Sequence, residues 1–377
     1  MDSVLLYPGS TIGIIGDYFS STQLVNVARD AGLKIATYSS NSDSEIARQS
    51  DYAFTGDMND VDTLREFAEK CDLVTYVSND IDPQVISEIE KYTYVPQGES
   101  LLEISQDRVM ERAFFDQINV NTSPYVTIIN LEDIYQAIDS IGYPAILKPI
   151  QRHMVNNQQL VINESNDIAL ASDMLKWGPY ILESYVPYRS EYSIIATKSV
   201  KDNLQQFPAV KTSYLGNVLQ TASTDISKVD QKVIQEMIRI VNQIGKNVKY
   251  VGSFEVSFGV TADHNIYVTN IDPTVNNTGF LFNLATEISE YDQHLRAISG
   301  LPLAKIKKIS DVVSRSFTKK QYEQVLRQRI LQPNWQFYFN YHNNARDNDV
   351  VGVILIPTDS VEEAFHRIVN TGIWTKN

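Results

Sequence analysis

A single cysteine, Cys71, stands in 377 residues, which excludes any intramolecular disulfide and suits a reducing compartment. Cys71 itself reads as a small buried hydrophobe. Nowhere does the chain approach the ~20 consecutive apolar residues that a membrane-spanning helix needs. Residues 1–10 lack both a basic n-region and an apolar h-region, so no secretory signal is read there and a cytoplasmic setting is expected. Positive charge is in short supply: 32 Lys and Arg face 46 Asp and Glu, a formal net charge of −14. Such a surface repels a phosphate backbone and argues against nucleic acid as a partner. A free nucleotide would still bind if a local basic pocket or a metal ion received it.

What is present is the material of a folded protein. Apolar residues make up 43% and charged residues 21%, and the length allows two or three domains with sizeable cores. Residues 11–15, 34–38 and 73–77 are short apolar strands, separated by helical patterns at 23–31, 61–70 and 83–91. Strands alternating with helices imply a parallel sheet with crossover connections, so residues 1–105 read as an α/β, Rossmann-like domain. A connecting helix over 106–119 leads into an α+β block ending near 185. Its strands are expected at 125–129, 143–148, 160–162 and 180–185, with helices at 132–141 and 168–176. Residues 186–377 are richest in strand-like alternation, at 191–197, 217–222, 251–260, 266–271 and 350–356. Amphipathic helices are expected at 229–245 and 291–298. No internal repeat, low-complexity tract or long linker interrupts the chain.

Several phrases occur in an order that points to one family. They include Pro8-Gly9-Ser10-Thr11-Ile12-Gly13-Ile14-Ile15-Gly16, Gln106-Asp107-Arg108 and Gly142-Tyr143-Pro144-Ala145-Ile146-Leu147-Lys148. Further on come Ile181-Leu182-Glu183-Ser184-Tyr185-Val186-Pro187, Tyr250-Val251-Gly252 and His294-Leu295-Arg296-Ala297-Ile298-Ser299-Gly300-Leu301-Pro302. Together they resemble carboxyaminoimidazole ribonucleotide synthetase, the ATPase subunit of phosphoribosylaminoimidazole carboxylase. That family joins bicarbonate to the amine of aminoimidazole ribonucleotide at the expense of ATP, in purine biosynthesis. The resemblance implies an ATP-grasp fold: the N-terminal domain, a small central subdomain at 106–185 and a larger C-terminal domain at 186–377. It also implies a homodimer, with ATP and Mg²⁺ as cofactors.

Residue by residue, the resemblance is uneven. Arg108 and Lys148 match positions that meet a nucleotide's phosphates, Glu183 and Val186 fall in the hinge that pairs with the adenine edge, and Glu191 matches the acceptor of the ribose hydroxyls. The phosphate-covering loop departs: residues 150–158 contain no glycine, which restricts close backbone approach. Where the family holds Mg²⁺ with two glutamates on adjacent strands, this chain has Ser257 and Asn270, poor partners for a hard cation. Glu255 and Asp272 lie two residues away on the same strand faces. If the strands run antiparallel with 257 opposite 270, then 255 lies opposite 272, a displaced acidic pair. Such a pair needs a divalent ion or a lysine, and Lys148 and Lys211 are the expected neutralisers. The substrate end has changed as well. Asp17-Tyr18-Phe19 follows Gly16 where a phosphate would be cradled, and Tyr214, Thr274 and Asn276 replace a histidine, an arginine and a histidine.

The sequence therefore assigns no catalytic residue. The expectation is a diverged synthetase with a nucleotide or small-molecule ligand and weak or absent carboxylation. A non-catalytic nucleotide-binding or regulatory partner protein and an ATP-dependent ligase with a changed substrate are the alternatives.

Overall fold

In a computed structural model that describes residues 5–153, 158–216, 218–340 and 345–374, the chain builds three sheets. The first is a four-stranded parallel sheet in the order Tyr52–Thr55, Lys34–Ser39, Thr11–Ile15, Leu73–Tyr76. Its central strand is apolar on both faces because helices cover both, as a parallel sheet requires. Gly13 is needed at its centre: a Cβ there would fall 2.6 Å from Val74 and 2.7 Å from the Cys71 sulfur. Cys71 is buried, as its composition suggests. The edge strand Tyr52–Thr55 was not foreseen, because four residues in mixed polar surroundings give too little alternation. The first helix, Phe19–Asp30, starts four residues earlier than residues 23–31 suggest. Ser21 caps it by accepting from the Tyr18 N–H at 3.0 Å.

The central sheet has four antiparallel strands in the order Tyr125–Ile128, Tyr180–Ser184, Ala145–Pro149, Leu160–Ile162. The helix Leu131–Ile141 that backs it is capped by Asn130 and stops at Gly142, whose φ of 81° suits glycine. The expected helix at 168–176 is replaced by two 3₁₀ segments, Ser165–Ser172 and Met174–Trp177. Short stretches with little amphipathic pattern close the tighter turn.

The third sheet has nine strands and is antiparallel in its pairings. The long helix Gln231–Asn247 lays Val233, Ile234, Met237, Ile240, Val241 and Ile244 on it, the i, i+3, i+4, i+7 stripe of an amphipathic helix. The expected strand at 217–222 runs from Val218 to Ser223; Asn217 lies outside the described residues. The strands Asp311–Thr318 and Gln336–Phe339 and the helices Tyr322–Leu331 and Val361–Asn370 had not been resolved from the sequence.

The first and third sheets are joined through a polar knot at His294. The Ser253 N–H donates to His294 Nδ1 at 3.0 Å, and His294 Nε2 lies 3.0 Å from the Thr75 hydroxyl. Because Thr75 donates its one proton to Gln97 at 2.6 Å, the imidazole must donate from Nε2, which fixes the neutral tautomer. Gln97 in turn donates to Tyr76 O and Pro273 O, so the knot reaches the residue beside Asp272. Burial holds the His294 pKa down to about 3. A folded pKa below the ordinary 6.5 means that this histidine's contribution is present above 6.5 and lost as pH falls towards 3. His294→Gln is expected to lower stability at pH 7 by about 1–3 kcal/mol. It should also remove up to about 1.4 kcal/mol per pH unit of acid sensitivity between those limits, as read by urea unfolding at a series of pH values.

Candidate functional site

A cleft of about 1290 Å³ opens between the central and nine-stranded sheets. Arg108, Lys148, Glu183, Val186, Glu191, Glu255 and Asp272, all proposed from sequence, line it together. Its two ends carry opposite charge.

The basic end is built from a helix and two strands. Ile146 faces Glu183 across the ladder, and Lys148, two residues along on the same face, reaches the Glu183 carboxylate at 2.6 Å. The other Glu183 oxygen accepts from Arg112 at 2.9 Å. Arg112 also pairs with Glu111 at 2.8 Å, and Glu111 with Arg152 at 2.6 Å. Burial would raise the Glu183 carboxyl, but Arg112 and Lys148 overcome it and hold the pKa down to about 2. Burial pushes Lys148 below the ordinary lysine range, against the pull of Glu183. Arg108 is buried, donates to Pro149 O at 2.5 Å, and is pushed down to about 10 by burial and by Arg152. Among these six side chains four cations meet two carboxylates, so the end of the cleft keeps surplus positive charge.

Glu111 and Arg112 escaped the sequence reading, yet the signal was there. Arg108, Glu111, Arg112 and Phe115 form the buried i, i+3, i+4, i+7 stripe of the helix Arg108–Gln117. Charged residues on an inward stripe mark a buried ion-pair network rather than solvent. Glu191 begins the next wall, on Ser190–Lys198 opposite Thr212, and burial raises its carboxyl. Gly259 lies against the Tyr188 ring, where a Cβ would come within 2.4 Å.

The acidic end follows the register argued from the sequence. Glu255 lies opposite Asp272 and Ser257 opposite Asn270, before a bulge between Ser257 and Phe258. The expected lysine is not there. Lys148 is held by Glu183, and among the described residues Lys211 pairs with neither carboxylate. Neutral donors take that place: Asn276 and Thr278 donate to Glu255, the Thr274 hydroxyl donates to Asp272 at 2.7 Å, and Asn79 does so at 3.4 Å. The cation that bears on Asp272 is Arg152. Burial, with Asp272 nearby, raises Glu255 to about 7, and burial raises Asp272 too. Glu290, missed in the sequence, is wholly buried beside this pair, close to the Asn276 backbone. Burial raises it well above the usual carboxyl range, and Glu255 and Asp272 add to the shift.

An adenine nucleotide fits the basic end, where Lys148, Arg108 and Arg152 supply cations and Glu191 an acceptor. Magnesium fits less well. Ser257 and Asn270 are neutral, and among the described residues no group of three or more His, Cys, Asp or Glu side chains is arranged to hold a metal ion. Of the loop at 150–158, residues 154–157 lie outside the described residues. Arg152 closes onto Glu111, and its Nε is unpartnered.

Solved structures with this architecture include N5-carboxyaminoimidazole ribonucleotide synthetases. The ribonucleotide synthetase preATP-grasp domain model matches residues 10–106, and the ATP-grasp domain model matches residues 113–291. The N5-carboxyaminoimidazole ribonucleotide synthase of Bacillus subtilis (strain 168) is 29% identical over 305 residues, 81% of this chain and 80% of its own. That of Staphylococcus aureus (strain MRSA252) is 24% identical over 94% of each chain. A solved N5-carboxyaminoimidazole ribonucleotide synthetase in complex with ADP superposes with a TM-score of 0.94 at 27% identity, covering 99% of both chains. The chain thus carries a preATP-grasp domain followed by an ATP-grasp domain, and it is similar over most of its length to carboxyaminoimidazole ribonucleotide synthetases.

One consequence of the acidic end can be measured directly. A carboxyl whose folded pKa is raised adds stability that is complete below its ordinary 4.5 and lost as pH rises through about 7. Glu255→Gln is therefore expected to raise stability at pH 8 by about 1–3 kcal/mol. At pH 4 it should change little, as followed by chemical unfolding at both pH values.

Proposed function

We propose that this protein binds an adenine nucleotide at the basic end of the cleft and descends from an ATP-dependent carboxylating synthetase of purine biosynthesis. In this reading its own carboxylation of aminoimidazole ribonucleotide is weak or lost. The relatives named above support the ATP-dependent, purine-biosynthetic class. The observation that carries the divergence is the Ser257–Asn270 rung, where the family pattern calls for two carboxylates. In this reading Lys148, Arg108 and Arg152 hold phosphate oxygens, the hinge at Val186 takes the base, and Glu191 takes the ribose hydroxyls. ATP would bring a transferable phosphoryl group. The chain's own part is to bind and orient the nucleotide beneath its surplus positive charge. A homodimer and a cytoplasmic location are carried over from the resemblance.

Isothermal calorimetry is expected to show ADP binding that changes little on adding Mg²⁺. Lys148→Ala is expected to weaken it by about tenfold or more, the worth of one charge-assisted phosphate contact. Assays of ATP turnover with aminoimidazole ribonucleotide are expected to show little stimulation, since losing even one electrostatic stabiliser costs about 10²–10³ in rate. Normal ribonucleotide-dependent turnover, or no ADP binding, would refute the reading.

A further inference from the structure

We infer that the nucleotide site selects a diphosphate, so that the cleft holds ADP more tightly than either ATP or AMP. The inference rests on the reading above, in which Val186 takes the base and Glu191 the ribose, and it fixes how many phosphates follow them.

Two walls of the cleft carry it. The floor is a ladder of side chains across neighbouring strands. Glu191 is level with Gly259, Ser193 with Ser257 and Ile195 with Glu255, while Ser257 lies opposite Asn270 and Glu255 opposite Asp272. The Ser193 and Ser257 hydroxyls lie 3.4 Å apart, so they share one face. From the ribose end the floor therefore reads Glu191, then a neutral rung of Ser193, Ser257 and Asn270, then the acidic rung of Glu255 and Asp272. By strand rise the neutral rung lies about 7 Å beyond the level of Glu191 and the acidic rung about 13 Å beyond it.

The opposite wall supplies the cations, in a row that ends. Lys148 reaches Glu183 at 2.6 Å beside the hinge, Arg108 donates at 2.5 Å to the carbonyl of Pro149, and Arg152 pairs with Glu111 at 2.6 Å. Arg152 is also the cation that bears on Asp272, so the row runs from the hinge to the edge of the acidic rung. The main chain that carries Arg152 is tied to the start of the helix Arg108–Gln117. The Arg108 N–H donates to Ile150 O at 3.0 Å, the Arg152 N–H to Gln106 O at 2.9 Å, and the Gln151 side chain to Asp107 at 2.7 Å. Arg152 Nε is buried without a hydrogen-bond partner among the described residues, a donor that a phosphate oxygen would satisfy. The sequence that follows His153, Met154-Val155-Asn156-Asn157, contains no cation. Burial pushes the His153 pKa down, away from the charged form. Lys211 and Arg189 line the cleft too, but both are exposed and stand at the ribose end: Lys211 lies opposite Tyr192, next to Glu191, and Arg189 precedes the same strand.

Charge then decides the count. A diphosphate whose ribose stands at Glu191 spans the neutral rung, beneath Lys148, Arg108 and Arg152. A monophosphate stops short of Arg152 and forgoes its contact. A third phosphoryl group passes Arg152 and comes up against Glu255 and Asp272, where like charges repel. The groups around that rung offer no relief. Asn79, Thr274, Asn276 and Thr278 are neutral, and Tyr18 is bound to a further carboxylate, Asp80, at 3.2 Å. A divalent ion would shield the third phosphate only if the protein held it, and Ser257 and Asn270 bring no anion for that purpose.

The test titrates the full-length protein with AMP, ADP and ATP by calorimetry, first in EDTA and then in MgCl₂. It is run at pH 8, above the Glu255 pKa of about 7, so that the acidic rung is charged. In EDTA, ADP is expected to bind about tenfold or more tightly than ATP and than AMP. Arg152→Ala is expected to weaken ADP by about tenfold and to move AMP by less than about twofold. Glu255→Gln and Asp272→Asn are each expected to strengthen ATP relative to ADP by about threefold or more. Such a change of preference is a signature that a merely structural acidic pair would not give. Glu255→Gln is predicted to be a stable variant, so its result is free of misfolding. The inference is overturned if ATP binds as tightly as ADP in EDTA, if MgCl₂ makes ATP the tighter ligand, if AMP matches ADP, or if neither acidic-rung variant shifts the ratio of ATP to ADP affinity. ADP binding with the wrong order of preference sinks only this inference, whereas failure of all three nucleotides to bind sinks the nucleotide reading with it.

Discussion

Glu183 is the carboxylate on which the cleft is built. It is buried, and it survives there because Arg112 and Lys148 reach its two oxygens from a helix and from the neighbouring strand. The network continues through Glu111, whose second oxygen accepts the Ile271 N–H at 2.9 Å. The helix Arg108–Gln117, the central sheet and the nine-stranded sheet are therefore fastened by one string of charges. Removing a single member would strand its partner in a desolvated site, a loss of roughly 3–5 kcal/mol. The same string sets the basic end's surplus charge, because its carboxylates are fewer than its cations.

The opposite end obeys the same electrostatics with the opposite outcome. There the carboxylates are buried among neutral hydrogen-bond donors, so their pKa values are pushed up. Close packing between Tyr18, Asp80, Asn79 and Asp272 brings the N-terminal block against this end. The His294 knot anchors the same region from below. Both ends are thus held by long-range contacts rather than by any one domain.

Features carried by periodicity were legible in the sequence. The register of Glu255 with Asp272 followed from two-residue alternation and a constant index sum, and it holds up to the bulge. The alternation of strands and helices in the first block gave its parallel sheet, and the amphipathic stripe gave the helix Gln231–Asn247. What failed depended on distance in space. Lys148 was a reasonable neutraliser for the acidic pair until Glu183 was seen to hold it. Glu290 sits at a helix start just after the capping Ser289, and nothing local betrays that this first turn is buried. The segment at 168–176 became 3₁₀ because too few turns carry an apolar stripe. The register between strands also explains how a site can change while its fold stays.

Pleated strands offer a ladder of equivalent rungs, and this sheet shows a carboxylate pair on one rung and a neutral pair on the next. Exchanging the two requires four side-chain replacements and no movement of the main chain. Both rungs could not be acidic together without a cation, because four carboxylates would then face one another at close range. A lineage can pass between the two arrangements through single substitutions in a scaffold that never has to refold.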